Sequence, residues 1–359
     1  MQPSPASPSP RAPGRGFLRE HWIALVASLV VAGGLFWLLR QGALPVLPNA
    51  AAQKRLHPGA VVVYALVALL VLFVRAARWH WLLAPVHAVP WRRILQVNFV
   101  FFGASVVLPF RMAEAVRPAL IRKKDHISAW AIMGSVAAER VFDGLFSSLL
   151  LFVSLALAEP LDPLPEKIGG LPVPVALVPK AAYSAVGLFA ALFATLLVFY
   201  LWRNWARRTT EVVIGVVSPK FAKWLADKVE HLAAGLKFLP QLRFSVPFLL
   251  LTALYWLLNV FGAWFLMRAS GLDGLQLAQA GAVVGVLALG MLVPNAPGFF
   301  GTFQISIYAG LAMYRPTADV IGAGSVAVFW MYVTQISICV ICGAIALVFE
   351  LRARKLGLA

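Results

Sequence analysis

The sequence predicts an all-α, polytopic membrane helix bundle, and three features of its composition lead to that fold class. Of its 359 residues, 61% are hydrophobic and only 13% are charged, whereas soluble globular domains carry about 25% charged residues. Several apolar runs are long enough to cross the roughly 30 Å hydrocarbon core of a bilayer as helices. Their continuous apolar character excludes a membrane β-barrel, whose strands alternate between apolar and polar residues.

Six apolar runs predict membrane-crossing helices, and two shorter apolar segments accompany them. The six runs cover about residues 21–39, 59–74, 127–158, 179–202, 246–267 and 318–349. The shorter segments, 94–110 and 276–293, end in loops that contain proline. The first run is too long for a typical signal peptide and lacks a small-residue cleavage site, so we expect an uncleaved helix. Basic cytoplasmic tails are expected at 1–16, which should be disordered, and at 351–359.

Lysine and arginine residues between the runs assign each loop to a side of the membrane. Arg11, Arg15 and Arg19 place the N-terminus in the cytoplasm. Four arginines follow the run 59–74 and are expected in a cytoplasmic loop: Arg75, Arg78, Arg92 and Arg93. The C-terminus is placed in the cytoplasm by three basic residues: Arg352, Arg354 and Lys355. The expected location is a bacterial-type inner membrane.

Two segments, 94–124 and 276–314, are flanked at both ends by loops assigned to one face. We therefore expect each to form a re-entrant hairpin, the first from the cytoplasmic face and the second from the outer face. A long helix follows each hairpin, which divides the transmembrane domain 17–350 into similar halves, 59–202 and 246–349. Inverted repeats with interrupted helices are common in transporters. The alternative is that both short segments simply span the bilayer.

The basic stretch between the two halves contains a candidate amphipathic helix at 219–238. Ser218 and Pro219 form a typical helix start. Apolar residues then recur on one helical face, and Lys residues lie mostly elsewhere. We expect this helix to lie on the inner leaflet, the alternative being that it packs on a partner.

Charged residues in the first half form one dense cluster. Three of them recur every third residue after the segment 94–110: Arg111, Glu114 and Arg117. Three more lie in the long helix that follows: Glu139, Arg140 and Asp143. Helical spacing lets Glu114 pair with the arginines of its own loop, and Arg140 with Asp143. Three positive and three negative charges neutralise one another, as a buried network requires. The cluster either only pins the hairpin to the helix or presents an arginine to a lipid phosphate.

The corresponding loop of the second half contains helix breakers and neutral polar groups. The predicted breaks involve Pro294, Pro297, Gly298 and Gly301, with Pro109 as the break in the first half. Three polar residues of the second loop are candidates for contact with a head group: Asn295, Thr302 and Gln304. Backbone groups freed by such a break must be satisfied by protein or by water in a cavity. The alternative is a simple tight turn.

Several other functions find no support in the sequence. The net charge of +17 accompanies no nucleic-acid-binding motif, so no nucleic-acid partner is expected. Cys339 and Cys342 lie inside the last apolar run and are expected to be buried apolar thiols. No spaced ligand set predicts a metal, and no cofactor is expected. A nucleotide-binding loop is also missing, so direct use of ATP is not expected.

Three motifs resemble those of the lysylphosphatidylglycerol synthase transmembrane region, a flippase-like family. They are Leu-Pro-x-Arg-x-x-Glu-x-x-Arg at 108–117, Glu-Arg-x-x-Asp-Gly at 139–144 and Pro-x-x-Pro-Gly-x-x-Gly-Thr at 294–302. The resemblance covers about 20–350. It implies an integral membrane protein related to the flippase half of the multiple peptide resistance factor, which is associated with moving aminoacylated phospholipid between leaflets.

Two departures from the family narrow what the resemblance implies. The family usually has an acid where Gln304 stands here, which puts a proton or cation role for that acid in doubt. The soluble aminoacyl-transferase domain of the full synthases does not occur in the 359 residues, so lysyl transfer is not expected.

The expected function is translocation of a phospholipid or lipid-linked substrate, without enzymatic activity. Its partner would be a membrane lipid with an anionic or lipid-linked head group. One alternative is an accessory protein for a lipid-modifying or cell-envelope enzyme. A second alternative is a membrane-embedded transferase that acts on a lipid-linked substrate. The sequence specifies neither the lipid, nor an energy source, nor the oligomeric state.

Overall fold

The computed structural model of the protein describes residues 26, 30–37, 39–41, 44–48, 50–108, 112–125, 128–168, 170, 175–201, 235–292 and 296–355. Its principal helices, numbered in chain order, are α1 (Pro58–Leu83), α2 (Trp91–Val107), α3 (Val116–Asp125), α4 (Ala129–Leu157), α5 (Leu177–Leu201), α6 (Leu242–Ala269), α7 (Leu277–Gly290), α8 (Thr302–Ala312) and α9 (Ala323–Lys355). Short helices lie at Ala50–Gln53 and Thr317–Ile321, and 3₁₀ turns at Met112–Ala115 and Pro297–Phe299.

Five of the described segments are long and apolar enough to cross a membrane. They are Pro58–Leu83, Ala129–Leu157, Leu177–Thr195, Leu242–Ala269 and Thr317–Ala353. On α1, the large apolar residues Val62, Leu66, Leu70 and Phe73 are 47–63% exposed and recur at helical spacing on one face. A surface of this kind requires lipid rather than water. The predicted all-α membrane bundle is therefore confirmed, and the chain is a multi-pass integral membrane protein.

Helix α1 extends nine residues beyond 74, the predicted end of the run 59–74. The assignment of Arg75 and Arg78 to a cytoplasmic loop was therefore wrong. Both arginines lie inside α1, which continues to Leu83. No proline or glycine interrupts the chain between them and Ala84. Their charges are accommodated by contacts inside the bundle, so the helix has no physical reason to end at the first arginine.

Two other predicted boundaries change. The amphipathic helix predicted at 219–238 falls largely outside the described residues, but its last part, 235–238, forms turns rather than helix. There Leu236 and Phe238 are buried in the bundle, because they pack with aromatic residues such as Phe142 and Phe248. At the C-terminus, α9 continues to Lys355, beyond the predicted end of the last apolar run at 349.

The start of α2 contacts α3, so the segment that contains both helices begins and ends close together. The guanidinium of Arg93, in the first turn of α2, donates a hydrogen bond to the carbonyl of Leu120 in α3, at 2.9 Å. Arg93 also pairs with Glu350 near the C-terminal end of α9. The base of the first predicted hairpin therefore lies beside the end of the last long helix.

The segment that contains α7 and α8 behaves in the same way at the other end of the bundle. Arg315, just after α8, donates to the carbonyl of Asp273, just before α7, at 2.6 Å. The amide of Leu161, which follows α4, donates to the carbonyl of Met313 at 2.8 Å. The base of the second predicted hairpin thus lies beside the C-terminal end of α4, whereas the base of the first lies beside the C-terminal end of α9. This arrangement favours hairpins that enter from opposite faces.

Cysteine accessibility tests the first hairpin. Single cysteines at Arg92 and at Lys124, in a background where Cys339 and Cys342 are serine, should both react with an impermeant thiol reagent from the same side of the membrane. A cysteine at Asp162, in the loop after α4, serves as the control and should react only from the other side. Labelling of the first two positions from opposite sides would show that α2 spans the bilayer.

Glycines allow the hairpin helices to approach the long helices closely. A Cβ atom at Gly343 of α9 would lie 2.6 Å from the Cα atom of Gly103 of α2. A Cβ atom at Gly285 of α7 would lie 3.0 Å from the Cα atom of Leu151 of α4. Small residues at such contacts are the usual basis of helix packing in membranes. Helix α2 is in this way held against α9, and α7 against α4.

Candidate functional site

A buried arginine of α1 organises the charged network of the first half. Arg78 is 0% exposed and binds Asp143 with both terminal nitrogens, at 2.5 and 2.7 Å. It also donates to Glu139 at 2.8 Å. Its guanidinium lies 5.0 Å from the ring centroid of Tyr255. Arg78 thereby joins α1 to α4 and faces α6.

The second fully buried arginine approaches from the hairpin. Arg117 of α3 pairs with Glu139, and both side chains are 0% exposed. Its guanidinium also lies 4.0 Å from the ring centroid of Phe101 and 4.9 Å from that of Trp79. Stacking on aromatic faces suits the weakly hydrated guanidinium better than it would suit an ammonium. Glu139 is therefore the hub between two buried cations.

The outer part of the network is more accessible. Arg140 lies 3.3 Å from Glu114 and 3.5 Å from Asp143, with 25%, 22% and 13% of the three side chains exposed. The predicted pairing of Arg140 with Asp143 is thus present. Glu114 pairs with Arg140 of α4 and not with Arg117 of its own segment, because Arg117 is directed to Glu139. Arg111 lies outside the described residues.

Another arginine of α1, Arg75, has no carboxylate partner in the part of the chain that the structure describes. Its guanidinium lies 5.1 and 5.7 Å from the ring centroids of Phe102 and Tyr255, and its Nε atom is buried without a hydrogen bond there. Within the described network, four guanidinium groups therefore face three carboxylates, instead of the balanced set expected from the sequence.

Arg75 and Arg140 line a cavity of about 220 Å³ between the two halves of the bundle. Residues of α1, α4, α6, α7, α8 and α9 contribute to its wall. Asp143 is the only acid among the described lining residues, and much of the remaining wall is apolar, including Val67 and Leu258. The cavity is smaller than the roughly 300–1,000 Å³ pockets that enclose drug-sized ligands. It could accept the head group of a lipid but not its acyl chains.

The predicted break in the second half is present around Gly298 and Gly301. After α7 the chain leaves the helical conformation, and the two glycines adopt φ values of +69° and +85°, which favour residues without a Cβ atom. Pro297 begins the intervening 3₁₀ turn. Phe299, between the glycines, has a φ of 56°. Pro109, Pro294 and Asn295 lie outside the described residues.

The polar residues of this loop satisfy the backbone at the start of α8. The side-chain oxygen of Gln304 accepts a hydrogen bond from the amide of Gly301 at 2.7 Å, and Gln304 is 3% exposed. The Thr302 hydroxyl donates to the carbonyl of Phe299 at 3.2 Å. Neither side chain belongs to the described cavity wall, so their contact with a head group stays a prediction. The carboxylate of an acidic residue at position 304 could accept the same hydrogen bond from the Gly301 amide. Residue 304 therefore has a structural role at the start of α8.

Sequence reasoning missed the two arginines of α1 and the neutral polar residues of the cavity. Arg75 and Arg78 are three positions apart, so they fall on neighbouring parts of one helical surface. That spacing, with no helix breaker before Leu83, was the signal that could have placed them inside the helix. Tyr64, Asn259 and Gln335 also line the cavity, but each is isolated in an apolar run and carries no comparable signal.

The family model described as lysylphosphatidylglycerol synthase TM region matches residues 24–347. The match includes both hairpin segments, the charged network and every described residue of the cavity wall. No curated protein and no solved structure gives a significant match to the chain.

Proposed function

Since the chain belongs to the lysylphosphatidylglycerol synthase transmembrane-region family, we propose that it moves a phospholipid or lipid-linked substrate between leaflets by binding the anionic head group in the cavity between its halves. The acyl chains would remain in the surrounding lipid. We place the protein in a bacterial-type inner membrane, with both termini in the cytoplasm.

The guanidinium of Arg75, which has no carboxylate partner among the described residues, is the observation that carries the proposal. A charged side chain in a membrane segment costs about 2.5–3.5 kcal/mol on insertion scales. Arg78 and Arg117 offset that cost through buried carboxylates, whereas among the described residues Arg75 has ring contacts and a cavity beside it but no carboxylate. A phosphate in the cavity would supply the missing partner, and guanidinium binds phosphate with strong charge-assisted hydrogen bonds.

Arg140 is suited to act with Arg75. Its ion pairs are long, from 3.3 to 3.9 Å, and its Nε and Nη2 atoms are buried without a hydrogen bond in the described part of the chain. It could therefore turn toward a phosphate without breaking a well-formed bond. Arg78 is not available in this way, because Asp143 and Glu139 engage both of its terminal nitrogens.

Replacement of Arg75 tests the function. In proteoliposomes, the purified protein should move tail-labelled phosphatidylglycerol between leaflets, measured by quenching of the outer-leaflet label. Arg75→Gln should lower that rate by about tenfold or more, because a hydrogen bond to a charged group contributes roughly 1.5–3 kcal/mol and about 1.4 kcal/mol corresponds to a factor of ten.

Arg268→Gln is the matched control. Arg268, on α6, is like Arg75 in lying over an aromatic ring, 5.3 Å from the centroid of Trp264. It is however exposed and outside the cavity wall. Its replacement should leave the rate unchanged. Equal rates for the wild type and the Arg75→Gln variant would contradict the proposal. Co-purification of a lipid-modifying enzyme with an inactive wild type would favour the accessory role instead.

A further inference from the structure

The cavity has a second polar region at some distance from its arginines. Tyr64 and Arg75 both line it, and they are eleven positions apart on α1, about 16 Å along the axis at the rise of a helix. The neighbouring helix α6 gives a shorter separation of about 10 Å, for the seven positions from Tyr255 to Gly262. Tyr255 contacts Arg75, whereas a Cβ atom at Gly262, seven positions further, would lie 3.4 Å from the Tyr64 ring. The cavity thus has a charged end and a distant end beside Tyr64.

The distant end carries neutral hydrogen-bonding groups. The side-chain amide of Gln335 donates to the Tyr64 hydroxyl at 2.7 Å, which leaves the Tyr64 proton as a donor and the Gln335 oxygen as an acceptor. Asn259 donates to the carbonyl of Tyr255 and keeps its side-chain oxygen as another acceptor. Between the two ends, Trp256 has a buried Nε1 donor without a partner in the described part of the chain. These groups match hydroxyls, which both donate and accept.

The same wall is poorly suited to an ammonium group. Asp143 is its only acid among the described lining residues, and Arg78 already binds both oxygens of that carboxylate. A cation at the distant end would therefore lose its hydration without gaining a counter-charge, which is costly inside a membrane protein.

We infer that the cavity selects a phosphate ester whose remaining head group is neutral and rich in hydroxyls, such as a polyol or sugar, with Tyr64 and Gln335 as the specificity-determining pair. This inference rests on the proposed function, since it assigns the phosphate to the charged end. Hydroxyls beyond the phosphate would then reach Trp256 and the Tyr64–Gln335 pair. Head groups that end in an amine are disfavoured.

Three tail-labelled lipids in proteoliposomes test the inference. Phosphatidylglycerol carries hydroxyls and one negative charge, phosphatidylethanol carries the same charge without hydroxyls, and phosphatidylethanolamine carries an ammonium. The wild type should move phosphatidylglycerol about threefold to tenfold faster than the other two, which is the range for one neutral hydrogen bond of roughly 0.5–1.5 kcal/mol. Tyr64→Phe and Gln335→Leu should lower the phosphatidylglycerol rate to that of phosphatidylethanol and leave the other two rates unchanged.

Tyr183→Phe is the control for Tyr64→Phe, since Tyr183 is 63% exposed on α5 and should not affect any rate. Movement of phosphatidylethanolamine as fast as phosphatidylglycerol would overturn the inference while the proposed function stands. If Tyr64→Phe and Gln335→Leu slow all three lipids equally, the inference is also overturned while the proposed function stands. A folded wild type that moves none of the three lipids would instead overturn the proposed function, and the inference with it.

Discussion

Glu139→Ala is expected to destabilise the folded protein by about 3–5 kcal/mol, the usual cost of removing one partner of a buried ion pair. Glu139 is 0% exposed and binds both Arg78 and Arg117. Arg78 would keep Asp143, but Arg117 would lose its carboxylate and remain buried against Phe101 and Trp79. The free energy of unfolding can be measured by titration of the purified protein from mild detergent into a denaturing one.

Two further variants separate loss of the pair from loss of packing. Glu114→Ala removes a carboxylate of the same network whose side chain is 22% exposed, and its effect should be smaller than that of Glu139→Ala because Arg140 keeps Asp143. Arg117→Met combined with Glu139→Gln removes the buried charge on both sides and should recover much of the stability lost in Glu139→Ala. Equal losses in Glu139→Ala and Glu114→Ala would refute the hub role.

Gly343→Val should separate α2 from α9 and destabilise the bundle by about 3 kcal/mol or more, at or above the upper end of the usual cost of overpacking. A Cβ atom at this position would lie 2.6 Å from the Cα and 3.0 Å from the amide nitrogen of Gly103. These are backbone atoms of another helix, so no side-chain rotation can relieve the clash. Thermal stability followed by size-exclusion chromatography would report the loss.

Gly187→Val provides the matched control, because a Cβ atom at Gly187 of α5 would meet nothing within 4 Å. The same substitution there should change stability little. The segment containing α2 should also become more accessible in Gly343→Val, so a cysteine at Arg92 should react faster. A Gly343→Val variant as stable as the wild type would contradict the close packing of α2 against α9.

The long helices and most of the charged network could be predicted because their signals are local. Apolar runs mark membrane-crossing helices wherever they occur, and charges inside those runs mark residues that need partners. Glu139, Arg140 and Asp143 were found in this way. Arg78 was not found from such a local signal, because its carboxylate partners lie 61 and 65 positions further along the chain. Its positive charge at the end of an apolar run is also what a cytoplasmic loop would contain.

The sequence by itself determined that this chain is a helical membrane protein and that its charges must be gathered away from lipid. Both conclusions follow from the transfer free energies of individual residues, which do not depend on how the helices pack. Only the tertiary structure decided which arginines are neutralised and which one, Arg75, faces the cavity without a carboxylate from any described residue. That distinction depends on distances of a few ångströms between α1, α4 and α6, and no local pattern of residues specifies those distances.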